Sequence, residues 1–215
     1  MTQQPFTTER LLPINAARSL LVGLLFFSLA SGCSVKKMAV NKLGNALAAG
    51  GSTFASDDDP ELVRTAVPFS LKLMESLLAE SPKHKGLLFA TASGFTQFAY
   101  AFVQQDADET EEKDLAAATE LRTRARKLYL RARDYGLRGL EVRHRAFAKT
   151  LREKPKAAVR VAKAADVPVL CWTAVSWAAA ISDSKDNPDL IAEVPMVEAL
   201  IDRALELDED RKSVV

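Results

Sequence analysis

Apolar positions spaced three and four apart recur along most of this chain, a period that predicts helices rather than strands. The clearest stripe is Leu121, Ala125, Leu128, Ala132 and Tyr135, inside a helix expected over Lys113–Tyr135. Gly136 and Gly139 predict its end. Asp59-Pro60 opens an earlier helix, with Asp as cap and Pro in the first turn. It runs to about Glu80 and is expected to bend or break near Pro68. Ser81-Pro82 separates it from a helix over Lys85–Gln105, and Asp106–Glu112 reads as an acidic loop. Val35–Ala49 is a weak first helix or tether, followed by a loop at Gly50–Ser56. Leu140–Arg152 and Pro155–Ala165 predict a short pair, and Pro168–Ser182 with Pro188–Leu207 the last pair. No run alternates β-branched and polar residues as a half-buried strand would. The expected fold is all-α, eight helices in stacked antiparallel pairs.

Internal similarity supports stacking. Asp59-Pro60-Glu61-Leu62-Val63 matches Asn187-Pro188-Asp189-Leu190-Ile191, and each is followed by a Val-Pro pair, Val67-Pro68 and Val194-Pro195. The close Ala204-Leu205-Glu206-Leu207-Asp208 resembles the end of a tetratricopeptide (TPR) unit. Strict 34-residue periodicity is absent, so the expectation is a degenerate TPR-like helical repeat.

The first thirty residues follow a different pattern. Arg10 and Arg18 precede the apolar run Leu20–Leu29, which leads into Ala30-Ser31-Gly32-Cys33. Positive charge, about ten apolar residues and then small residues is the layout of an export signal. The run is about half the roughly twenty residues a spanning helix needs. Ending on Gly-Cys, it is similar to a bacterial lipoprotein signal, with an uncleaved anchor as the alternative. The expected organisation is a signal peptide at 1–32, a lipid-anchored segment at 33–57 beginning with lipidated Cys33, and a helical domain at 58–215. The mature chain would then be periplasmic. Ser34 follows the cysteine where Asp would favour inner-membrane retention, so the outer membrane is the preferred placement.

One helix is apolar on nearly every face. Within Gly86–Val103, Phe95, Phe98 and Phe102 share a face, and Ala90, Ser93, Gly94 and Ala101 are small enough for close approach of neighbours. A central packing helix is one reading; the other has one face line an apolar cavity or a subunit interface, with Gln97 and Tyr100 as inward polar groups. Trp172 and Trp177, five positions apart, occupy different faces of a later helix. One suits the core and the other a cleft or partner. The candidate cavity or interface residues are thus Phe95, Phe98, Phe102 and Trp172.

Charge changes the picture only locally. Without residues 1–32 the chain has 27 basic and 27 acidic side chains, a balance that argues against general nucleic-acid binding. From Arg122 to Lys163, fifteen Lys or Arg face only Asp134, Glu141 and Glu153, whereas Asp183–Asp210 carries ten carboxylates against Lys185 and Arg203. Solvated helix faces explain this segregation, or a basic surface for an anionic ligand or acidic partner. With Cys33 lipidated, Cys171 is the remaining thiol, so no internal disulfide is expected. His84 and His144 lack the spacing of metal ligands. No nucleophile elbow, zinc-protease motif, phosphate loop or dinucleotide fingerprint occurs. The sequence therefore predicts no enzyme, no catalytic residue, no metal and no cofactor.

The block Asp58–Gln105 carries a family resemblance. Asp-Pro-Glu-Leu-Val-Arg, Ala-Val-Pro-Phe-Ser-Leu-Lys-Leu-Met-Glu-Ser-Leu-Leu-Ala-Glu-Ser-Pro and Ala-Ser-Gly-Phe-Thr-Gln-Phe-Ala-Tyr-Ala-Phe-Val-Gln resemble the T-component of TRAP transporters, the tripartite ATP-independent periplasmic systems. The resemblance continues through Cys171-Trp172 and Leu190–Leu207. It implies an all-helical lipoprotein with cryptic TPR-like motifs, a homotrimer with an apolar cavity in each subunit, and association with the substrate-binding P-subunit. It also implies an accessory role toward a small-molecule ligand, an organic acid or a hydrophobic compound. The alternative is a TPR-like adaptor lipoprotein that scaffolds cell-envelope complexes without such a ligand.

Overall fold

The computed structural model describes residues 37–49 and 56–212. The signal-like segment, Cys33 and residues 50–55, where a loop was expected, lie outside them. The chain divides at residue 40 into two units. Of the first, residues 37–40 are described and are helical. The second opens with helical residues 41–49 (α1) and continues with α2 (Pro60–Glu80), α3 (Lys85–Thr110), α4 (Leu115–Arg143), α5 (Phe147–Glu153), α6 (Pro155–Ala158), α7 (Val167–Ser182), α8 (Pro188–Ile191) and α9 (Val194–Lys212). No strand occurs among the described residues. The fold is all-α.

Successive long helices are antiparallel neighbours, as paired residues show. Arg64 of α2 reaches Asp106 of α3, while Leu71 lies against Gly94. Gln104 and Phe95 of α3 meet Tyr129 and Tyr135 of α4. Gly136 and Gly139 of α4 meet Thr173 and Val169 of α7. In each pair, numbers rise on one helix as they fall on the other. Two apolar clusters fill the spaces. Phe95, Phe98, Val103 and Tyr129 centre one, between α2, α3, α4 and the end of α7; Trp177, Leu170, Leu140, Phe147 and Leu200 centre the other, between α4, α5, α7 and α9.

The caps formed as the sequence predicts. Asp59 accepts the N–H groups of Glu61 and Leu62, and Asn187 accepts those of Asp189 and Leu190. The helices that follow differ. α2 passes through Pro68 without a break, whereas α8 ends at Ile191 and α9 begins beyond Glu193. Leu71, Met74, Leu77 and Leu78 bury the continuation of α2. At the second site Glu193 is drawn aside: its carboxylate accepts the Trp177 indole N–H at 2.7 Å and pairs with Arg133 at 3.2 Å.

Further boundaries depart from expectation, and the helix expected over Pro155–Ala165 ends at Ala158. α4 does not stop at Tyr135 but continues through both glycines to Arg143. These glycines make room rather than a terminus, since a Cβ at 136 would stand 2.1 Å from the Thr173 hydroxyl. The helix expected from Leu140 begins only at Phe147, after Ala146 turns the chain with φ of 59°, in the left-handed region. The acidic stretch is helical to Thr110, because α3 widens into a π-helical segment at Ala99–Gln104 and then resumes.

Candidate functional site: an apolar cavity between α1, α2 and α3

The stripe Val63, Val67, Leu71 and Met74 on α2 faces the small-residue stripe Ala90, Gly94 and Ala101 on α3. The small side chains leave space unfilled along this seam, and a cavity of about 320 Å³ results. Leu47 and Ala48 of α1 contribute to its wall. α1 is held by close packing, since a Cβ on buried Gly44 would meet Leu87 Cδ1 at 2.8 Å, and by hydrogen bonds that Asn41 accepts from the Ser81 hydroxyl and the His84 ring.

The lining has no charged side chain. Its polar members are Ser70, Ser93 and Gln97. The two hydroxyls donate to the carbonyls of Ala66 and Ala90, and the Gln97 amide N–H to that of Ser93. These bonds use donors, so the oxygens that remain can accept from an occupant. At one end Phe102 is clamped by Arg64, whose guanidinium lies 4.9 Å from the ring centroid and pairs with Asp106 through both terminal nitrogens, at 2.7 and 3.1 Å. That hydrogen-bonded pair pushes the Arg64 pKa above its ordinary value, so its charge is permanent and already matched. An apolar space of this size with few convergent polar groups is the usual form of a small-molecule site, at the small end of the range.

The expected cavity residues separate. Phe98 and Phe102 line the space, their rings tilted against each other at 5.6 Å. Phe95 does not. One position beyond Gly94, it is turned by about 100° toward α4, where it stacks on Tyr135 at 6.2 Å. Phe98 stands between the two environments, 7% exposed, as a wall shared by cavity and core. Trp172 lies half-buried on α7, outside the lining, and Trp177 is the tryptophan that fills the core. Tyr100 is 67% exposed and points away, whereas Gln97 is at the rim. The contributions of Leu47, Ala48 and Phe89, and of Val63, Val67, Leu71 and Met74 on α2, were missed. The α2 stripe could have been found by its helical spacing; nothing local marks α1 as a wall.

A family model for the TRAP transporter T-component matches residues 56–213. The chain belongs to the TRAP transporter T-component family. T-components are accessory parts of TRAP transporters, not known enzymes. The match covers α2 to α9 and begins after α1, so the family region contains the three aromatic cavity residues, Phe89, Phe98 and Phe102, but not Leu47 and Ala48. An uncharacterized protein of Treponema pallidum (strain Nichols) is 29% identical over 197 residues, which are 83% of this chain and 61% of that protein. The chain thus spans about three fifths of the relative's length. Two helices of this T-component, Lys85–Thr110 and Ala164–Ser182, are long and apolar enough to cross a membrane by length and composition. Both contribute to the buried clusters of the bundle.

Two polar clusters lie elsewhere. Asp166 is buried and takes the Lys163 N–H at 3.0 Å, His144 at 2.9 Å and Arg143 at 3.1 Å. Burial opposes its charge, but these partners outweigh it and hold the pKa below the ordinary value. Asp183, at the end of α7, has a buried Oδ2 with no hydrogen-bond partner. Burial pushes its pKa up, with Asp108 adding to the rise while Arg122 and Arg126 oppose it. Among the described residues no group of three His, Cys, Asp or Glu side chains could hold a metal ion.

Proposed function

We propose that this T-component is a periplasmic lipoprotein whose cavity holds the apolar part of a small ligand on behalf of a TRAP-type solute importer. The observation that carries the reading is the uncharged cavity of about 320 Å³, walled by Phe98 and Phe102, within a T-component. Its greasy wall gains free energy by covering apolar surface, about 25 cal/mol per Å². Its free acceptors suit a hydroxyl or amide donor on the occupant. An organic acid fits if its tail enters and its carboxylate stays at the rim, because the nearest cation, Arg64, is already paired with Asp106. Hand-over to or from the P-subunit, assembly as a homotrimer, TPR-like stacking and lipidation at Cys33 complete the proposal. The organisation is then a signal at 1–32, a tethering segment at 33–57 and the helical domain at 58–215. Outer-membrane attachment is the preferred placement.

The test uses N-phenyl-1-naphthylamine, an uncharged probe that fluoresces in apolar surroundings. It is expected to bind the protein and to be excluded by Ala90→Phe, which fills the cavity, with the melting temperature maintained. Equal probe binding by the filled variant would overturn the cavity reading. Failure to bind at all would favour an adaptor without a small-molecule ligand.

A further inference from the structure

Between the end of α4 at Arg143 and the start of α7 at Val167, the chain makes short turns with two unlike sides. Phe147, Leu151, Ala158, Val159 and Ala162 are buried in the cluster shared with Leu200 and Leu207 of α9. The outer side carries Arg145, Arg152, Lys154, Lys156, Arg160 and Lys163, all exposed. Among the described residues no carboxylate pairs with these six side chains; Glu153 lies 3.9 Å from Lys149, and Asp166 is taken up by Arg143 and His144. Val161, 51% exposed, stands among the cations. Unmatched like charges held on an outer surface raise each other's energy, and they are relieved by an anionic surface opposite.

This basic stretch sits at a defined end of the bundle. Lys85 and Gly86, at the start of α3, share a cleft with Arg143, Ala165 and Pro168, which bracket it. Asn41, eight positions after Cys33 in the sequence, bonds to Ser81 and His84 just before α3, at that same end. The aromatic residue of the stretch, Phe147, is 2% exposed, so no ring is offered for stacking nucleobases. Dispersed point charges with one apolar side chain suit a sheet of headgroups.

We propose that the exposed cations of residues 145–163 dock on anionic phospholipid headgroups. This rests on the reading of Cys33 as a lipid anchor: one acyl-bearing signal and one polybasic surface together hold a protein more firmly than either alone. Docking by this end would turn the Arg64–Phe102 end of the cavity away from the membrane, since Phe102 lies toward the opposite end of α3 from Lys85.

The lipidated protein is reconstituted into vesicles of phosphatidylcholine and of phosphatidylcholine with phosphatidylglycerol, and lysines are pulse-acetylated and read by mass spectrometry. Expected is several-fold slower labelling of Lys149, Lys154, Lys156 and Lys163 on the anionic vesicles, reversed by high salt, with Lys113 unchanged. The variant Lys154→Glu, Lys156→Glu, Arg160→Glu should lose the protection of Lys149 and Lys163 while staying on neutral vesicles. Equal labelling on the two vesicle types overturns the proposal and assigns the cations to an acidic protein instead. Protein that fails to stay on neutral vesicles overturns the lipid anchor, while protection on anionic vesicles still reads the surface.

Discussion

Gly136 lies so close to Thr173 that a Cβ at 136 would come within 2.1 Å of the threonine hydroxyl and 3.3 Å of its Cα. In an exposed helix, Gly→Ala stabilises by roughly 1 kcal/mol. Here the sign reverses, because the obstacle includes backbone and the hydroxyl is anchored to the Val169 carbonyl at 2.6 Å. Gly136→Ala is expected to cost about 2 kcal/mol in chemical denaturation. Adding Thr173→Ala should recover part of the loss but not all, since the backbone contact remains. A stabilised single variant would refute close packing of α4 on α7.

Asp183 gives a prediction with a definite pH sign. Its raised pKa means the folded protein holds the proton more tightly than the unfolded chain does. Stability therefore falls as pH rises through the ordinary carboxylate range near about 4. Asp183→Asn should gain about 1 kcal/mol at neutral pH by removing a half-buried carboxylate whose Oδ2 has no hydrogen-bond partner, and the gain should fade in acid. A gain that grows on acidification would contradict this. Asp166 behaves oppositely: its lowered pKa contributes stability above the ordinary carboxylate range that is lost as pH falls below it.

Phe98 and Phe102 should part in their effects. Phe98 is buried in both cavity wall and core, so Phe98→Ala is expected to cost about 3 kcal/mol in thermal or denaturant unfolding. Phe102 is half-buried under Arg64, and Phe102→Ala should weaken N-phenyl-1-naphthylamine binding more than it lowers stability. Equal stability losses with unchanged probe binding would make both residues packing alone.

Cys33→Ala is expected to abolish labelling by radioactive palmitate and release the protein from the membrane fraction. Undiminished labelling would place the lipid elsewhere or remove it from the account.

The helix starts after Asp59 and Asn187 were legible because they depend on local chemistry: both side chains accept neighbouring N–H groups whatever the tertiary fold does. The meaning of Gly136 was not, since a glycine that ends a helix and one that admits a neighbour look alike in sequence. Of the three aromatic residues that line the cavity, Phe98 and Phe102 were readable and Phe89 was not. Phe98 and Phe102 follow from a stripe that must be enclosed, but the turn from Gly94 to Phe95 crosses from the α2 side to the α4 side within a single residue. α1 was hidden for another reason. Leu47 and Ala48 matter through the groove they cover, and that groove is made by residues far along the chain.

The π-helical segment Ala99–Gln104 places more residues in each turn than the helix on either side. Removing one residue there would tighten the coil and keep Gln105–Thr110 in phase, so Asp106 would still find Arg64. The same deletion at Ala92 would swing every later side chain by about 100°, carrying Phe98 and Phe102 off the wall together. Length variation among descendants of this chain should therefore be tolerated at that loosened turn and purged a few residues before it.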